Sequence, residues 1–189
     1  MNKEIFLTYK GILLGQTPKI VDVFKQRLGD FNRIIEIGSN RGGFALFLHD
    51  NKNEDADLIS YEIKHNTTEV PKNIKLDFRI GDCFSHKIMT EIKDLINDET
   101  KKILLLCDGG NKVKEFNTFS AFLKPNDVIM CHDYAHNIND FEKIKKELNW
   151  HSRFESSYDE IYSAVKNNGL DKYYYDEFKS VLWGSFIKK

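Results

Sequence analysis

Short, mostly apolar runs separated by amphipathic stretches give this chain its pattern. Residues 34–37, 57–63, 103–107 and 127–131 are runs of this kind, and Ile103-Leu104-Leu105-Leu106-Cys107 is the most apolar. Continuous runs predict strands buried on both faces, as in a parallel sheet covered by helices. Residues 74–80 instead alternate, with Ile74, Leu76, Phe78 and Ile80 on one face. That period predicts a strand less completely buried. Between the runs, 42–49, 85–96, 113–123, 141–150 and 158–166 carry helical spacing. Ser85 is placed to cap the second of these, and Lys124-Pro125-Asn126 closes the third. Residues 180–187 form a last apolar run after a helical excursion, which predicts a reversed strand beside the fifth. The fold class is therefore α/β, a doubly wound, mostly parallel sheet with an antiparallel last strand. One domain covers 1–189, with 1–30 as an entry segment and helix and 151–189 as a substrate or interface region.

Right-handed crossovers place the C-terminal ends of all parallel strands on one edge, where ligands bind. Glu36, Glu62, Asp82, Asp108, His132 and Asp133 lie at those ends. The first of them opens Glu36-Ile37-Gly38-Ser39-Asn40-Arg41-Gly42-Gly43, a strand end, a tight turn and a helix N-terminus. Its glycines do not follow the Gly-x-Gly-x-x-Gly spacing that admits a pyrophosphate, and Glu36 would repel one. A ligand carrying positive charge and hydroxyls suits the turn better, and S-adenosylmethionine is such a ligand. The plainer alternative is that Gly38 and Gly42 only punctuate an ordinary turn.

Composition changes this picture little. A 41% hydrophobic content supplies a core for 189 residues. The net charge of −1 lacks the basic excess of a polynucleotide-binding surface, so a small-molecule substrate is expected and nucleic acid is not. No run approaches the ~20 apolar residues of a membrane helix. The N-terminus lacks a signal-peptide core, so the cytoplasm is the expected compartment. Cys83, Cys107 and Cys131 end apolar runs, are odd in number and show no paired spacing, which reads as three buried structural thiols. Tyr173-Tyr174-Tyr175 reads as a lid or an interface, and with Trp183 it would suit the surface of a homo-oligomer.

From residue 9 to residue 134 the chain resembles the class I S-adenosylmethionine-dependent methyltransferases. More narrowly, it is similar to the family of cephalosporin hydroxylase-type proteins and metal-dependent sugar O-methyltransferases. The likeness rests on Gly11 with Gln16-Thr17-Pro18, Ile35-Glu36-Ile37-Gly38 with Gly42-Gly43, Glu62, Gly81-Asp82, Asp108 and His132-Asp133. It implies a seven-stranded sheet, and that the turn through Glu36, Gly38, Ser39, Asn40 and Gly42 cradles the methionine part of the cofactor. Glu62 would accept both ribose hydroxyls, and Asp82 the adenine amino group with Cys83 and Phe84 at the ring. Asp108 would touch cofactor and substrate. Asp108 and Asp133, with His132, would hold a divalent ion, Mg2+ or Mn2+, that orients and acidifies a substrate hydroxyl. Each role has a structural alternative: Asp82 as a turn cap, His132 and His136 as a hydrogen-bonded loop pair.

Two departures from the family stand out. His132 replaces the usual glutamate, and imidazole suits manganese, zinc or iron better than magnesium. Three residues after Asp108, where relatives carry a histidine or lysine base, stands Asn111, with Lys112 one place on. Lys112 would serve as base if its pKa were depressed, and His136 is a second candidate. The expected activity is metal-assisted O-methylation of a sugar or other hydroxylated metabolite. RNA or protein methylation, and a non-catalytic cofactor-binding module, are the alternatives.

Overall fold

A computed structural model describes residues 7–64, 69–148 and 153–189. It opens with a hairpin of β1 (Thr8–Tyr9) and β2 (Ile12–Leu13), then α1 (Ile20–Lys25). The alternating body follows as β3 (Arg33–Ile37), α2 (Gly43–Asn51), β4 (Asp57–Glu62), β5 (Asp77–Ile80), α3 (His86–Ile96), β6 (Ile103–Cys107), α4 (Lys112–Phe119) and β7 (Val128–His132). The last third is β8 (Tyr134–Ala135), α5 (Ile138–Leu148), β9 (Ser156–Ser157), α6 (Tyr158–Asn167), β10 (Leu170–Lys172), α7 (Tyr175–Lys179) and β11 (Trp183–Lys188). One seven-stranded sheet runs in the order β10-β11-β7-β6-β3-β4-β5. Strands β3 to β7 are mutually parallel, and β11 is antiparallel to β7 in the register Trp183↔His132.

The apolar runs are continuous because each strand serves two cores, its residues pointing alternately up and down. Ile35, Ile37, Leu105, Cys107, Ile129 and Cys131 pack under α3, α4 and α6. Their neighbours Ile34, Leu104, Leu106, Val128 and Met130 pack with α1, α2 and α7 on the other face. Gly43 shows how tightly the hairpin sits on this frame: a Cβ there would meet the Leu13 carbonyl carbon at 2.6 Å. No helix among the described residues is long and apolar enough to cross a membrane.

Several expectations are corrected. The strand expected over 74–80 is confined to Asp77–Ile80, because Ile74 closes a turn on Pro71 before pairing with β4 can begin. Of the seven strands, β10 has no counterpart among the six apolar runs: only Leu170 of its three residues is buried. The helix expected over 141–150 starts earlier, at Ile138, and residues 149–150 of that expectation lie outside the described residues. Trp183 is fully buried and cannot stand at an oligomer surface. Tyr175 is buried too, donating to or accepting from the Tyr134 hydroxyl at 2.7 Å, so of the three tyrosines only Tyr174 is exposed.

Candidate active site

The sheet order reverses direction at β3, the position where an open α/β sheet leaves a crevice beyond its strand ends. A cleft of about 510 Å³ lies there. Four strand ends line it: Ile37, Gly38 and Asn40 after β3, Tyr61 to Ile63 at β4, Gly81 to Phe84 after β5, and Asp108 to Asn111 with Glu115 after β6. A second cavity of about 400 Å³ opens at the opposite edge near Arg33, Asp57 and Arg79. Its arginines are spent on Asp57, Asp98, Asp77 and Glu91, and none of the strand-end acids faces it.

The turn after β3 is held by β4. Gly38 and Ser39 both donate their amides to the Tyr61 carbonyl, at 2.9 and 3.2 Å. Gly38 has φ +99, and a Cβ there would stand 2.6 Å from the Gly109 amide, so only glycine lets the loops after β3 and β6 meet. Ser39 is buried, with its hydroxyl 2.5 Å from that of Ser60, which in turn donates to Glu36. Glu36 is wholly buried, and desolvation raises its pKa to about 8 despite the Ser60 hydrogen bond. Burial thus favours its neutral form. The sequence-based picture of a charged acid repelling phosphate does not hold, because the carboxyl points into the sheet. Glu36, Ser39 and Gly42 build the turn from behind, with Gly42 (φ +84) as the cap of α2; Gly38 and Asn40 form the cleft wall.

Glu62 anchors the middle of the wall. Its Oε2 accepts the Asn40 amide and its Oε1 the Ile63 amide, each at 2.8 Å. Each carboxylate oxygen keeps a further lone pair for a ligand donor. Asp82 makes the turn expected as its alternative, accepting the Phe84 amide at 2.9 Å, and it also lines the cleft. Cys83 lies beside it, its thiol pushed up to about 12, mainly by burial. It acts as a small apolar wall. All three cysteines are free and buried.

The loop after β6 is organised by Glu115, which the sequence pattern did not single out. Fully buried on α4, it accepts the Gly109 and Asn111 amides, both at 3.1 Å. Burial chiefly raises its pKa to about 7. Asn111 caps the same helix by accepting the Lys114 amide. Together these bonds fix Asp108 and Lys112 at either end of the Gly109–Gly110 turn.

Asp108, Lys112, His132 and Asp133 do come together. Asp108 Oδ2 accepts Gln16 Nε2 and its Oδ1 accepts His132 Nδ1, both at 2.8 Å. A carboxylate is acceptor-only, so His132 Nδ1 carries the hydrogen. The imidazole stacks on Trp183 with ring centroids 4.8 Å apart. Burial works to lower the His132 pKa, but Asp108 and Asp133 outweigh it and hold the value above the ordinary one. Lys112 Nζ stands 3.8 Å from Asp108 Oδ1, 3.6 Å from Asp133 Oδ2 and 2.5 Å from Glu155 Oε2. Burial lowers its pKa too, but Asp108, Glu155 and Asp133 raise it further, so Lys112 is a fixed cation and not the base the sequence suggested. Among the described residues no three His, Cys, Asp or Glu side chains are grouped to hold a metal ion. In this structure Asp108, His132 and Asp133 gather around the Lys112 ammonium.

His136 is exposed and stands apart. Its ring lies on Tyr158 and its Nδ1 is 3.3 Å from the Tyr175 hydroxyl, on the α6 side of the molecule. Asp133 has φ +50, a left-handed conformation costly for a non-glycine residue, and its carbonyl accepts the Glu155 and Ser156 amides. Glu155 and Gln16 complete the cluster from remote segments. Gln16 entered the sequence reading only as part of the family likeness, and nothing local marks Glu155.

No family model matches the chain, and no curated protein matches it. Solved structures do. A CmcI apo-structure is 14% identical, superposes with a TM-score of 0.69 and covers 96% of this chain and 76% of its own. A CmcI structure with Mg and SAM gives 15% identity and a TM-score of 0.65, covering 99% of this chain and 78% of its own. A candidate caffeoyl-CoA O-methyltransferase from Staphylococcus aureus is 15% identical, with a TM-score of 0.56 over 89% of this chain and 82% of its own. At these identities the likeness establishes a shared fold.

Proposed function

We propose that this chain is an S-adenosylmethionine-dependent methyltransferase acting on an oxygen of a small hydroxylated molecule, a sugar or a similar metabolite. The observation that carries this reading is the cleft at four strand ends, with Glu62 held by two backbone amides at its centre. When bound, the cofactor supplies an electrophilic methyl group on a sulfonium. The residues fit it: Glu62 has lone pairs left for two ribose hydroxyls, while Ile63, Cys83 and Phe84 offer an apolar border for adenine beside Asp82. Gly38, Gly109 and Gly110 line the cleft where the amino-acid part would pass. The Asp108 end of the cleft carries the acids, which suits a cationic centre. An acceptor oxygen there gives the electron pair of the new bond, the carbon–sulfur pair stays on sulfur, and the hydroxyl proton passes to the carboxylates of the Asp108–Asp133–Glu155 cluster.

The shared fold with CmcI, whose structures include a form with Mg and SAM and one with SAH, supports the cofactor. The Mg2+ or Mn2+ expected from the sequence does not enter this reading: His132 Nδ1 donates to Asp108, and the Lys112 ammonium stands 3.6 Å from Asp133 Oδ2. Thermal unfolding tests the cofactor. S-adenosylhomocysteine should raise the midpoint in proportion to the logarithm of its concentration, and NAD should leave it unchanged. The reverse pattern would refute the assignment.

A further inference from the structure

Asp108 and Asp133 end neighbouring strands, and two carboxylates so placed repel unless a positive charge stands between them. We propose that the Lys112 ammonium is a built-in cation serving Asp108 and Asp133 as a divalent ion otherwise would, so that the cleft works without a metal. The side chain is only 7% exposed and approaches one oxygen of each aspartate, at 3.8 and 3.6 Å. Its remaining contacts are with the Gly109 carbonyl at 3.2 Å and Glu155 Oε2 at 2.5 Å. Two of its three donors are hydrogen-bonded in this way, and the two aspartates interact with it by charge at longer range. The position is not a rotamer accident. Lys112 is the first residue of α4, and that helix start is locked by Asn111 capping Lys114 and by Glu115 holding the Gly109 and Asn111 amides. Asp108 is equally committed, since both its oxygens already accept from protein groups, Gln16 and His132. An ion bonded at about 2.1 Å to both aspartates would have to share their approach with a fixed like charge. Glu155 then has a purpose of its own: it ties this charge to the segment leading into β9, giving the C-terminal third a charged link to the cleft.

The catalytic consequence rests on the methyl-transfer reading, but the binding test does not. Mn2+ alone, titrated into chelator-treated full-length protein and followed by the loss of its free paramagnetic signal, should show no binding to wild type. Lys112→Met leaves three carboxylates uncompensated and should gain Mn2+ affinity by at least about tenfold, while Lys112→Arg should gain none. Adding Asp133→Asn to Lys112→Met should remove the gain. Wild-type binding of Mn2+ that Asp133→Asn abolishes would overturn the proposal, as would a folded Lys112→Met that gains nothing. Where Lys112→Met does not fold, the wild-type titration decides alone. Binding of S-adenosylhomocysteine, measured on the same samples, separates the two ideas: its absence sinks the cofactor and leaves the internal cation standing.

Discussion

Glu36 and Glu115 are two buried acids with raised pKa values, about 8 and about 7, and both work through the backbone they support. Each keeps in the folded state a proton that the unfolded chain releases near the ordinary 4.5. The stability they contribute is therefore complete in acid and is lost as pH rises from 4.5 through about 8. Glu36→Gln is neutral at every pH. Urea midpoints of wild type should fall between these limits, and those of Glu36→Gln should fall less; parallel curves would show that Glu36 is not the source. Gly38 gives a second expectation at this scale. Alanine there meets both a left-handed φ and the loop after β6, so Gly38→Ala should cost at least about 2 kcal/mol in denaturant unfolding and lose ligand binding as well.

Among the elements, β11 couples fold to site. It pairs with β7 along its length, and Trp183 at its start stacks on His132 and donates Nε1–H to Gln16 at 2.9 Å. Gln16 passes its other end to Asp108, so a core tryptophan orients a cleft acid through one relay. Trp183→Phe keeps an aromatic ring but leaves the buried Gln16 oxygen without its donor. A loss of about 1–3 kcal/mol is expected by denaturant titration, with weakened ligand binding; unchanged binding would show that the relay does not position Asp108. The last strand was legible because its run is apolar and ends the chain's alternation. Leu170-Asp171-Lys172 was not, since a three-residue edge strand leaves only Leu170 to bury and pairs only with β11. The same limit governs the site. Glu62, Asp82 and Asp108 stood out because strand ends are where chemistry gathers, and all three line the cleft. Glu115 looks like any helix acid, and Glu155 meets Lys112 across 43 positions of chain that no local period connects. The family likeness offered Lys112 as a base on condition of a depressed pKa; the three carboxylates around it push that pKa up instead.

At the scale of the molecule, the reversal of strand order at β3 opens a crevice, and the two cores above and below the sheet make its walls rigid. Gly38 lets the loops after β3 and β6 close on each other, and the strand ends supply carboxylates for hydroxyls and for positive charge. Calorimetric titration of wild type and Glu62→Ala with S-adenosylmethionine and S-adenosylhomocysteine examines that claim at its centre. Both ligands should bind wild type with one site per chain, and Glu62→Ala should bind roughly 10- to 100-fold more weakly while remaining folded. No heat with either ligand, together with clear binding of NAD, would contradict it.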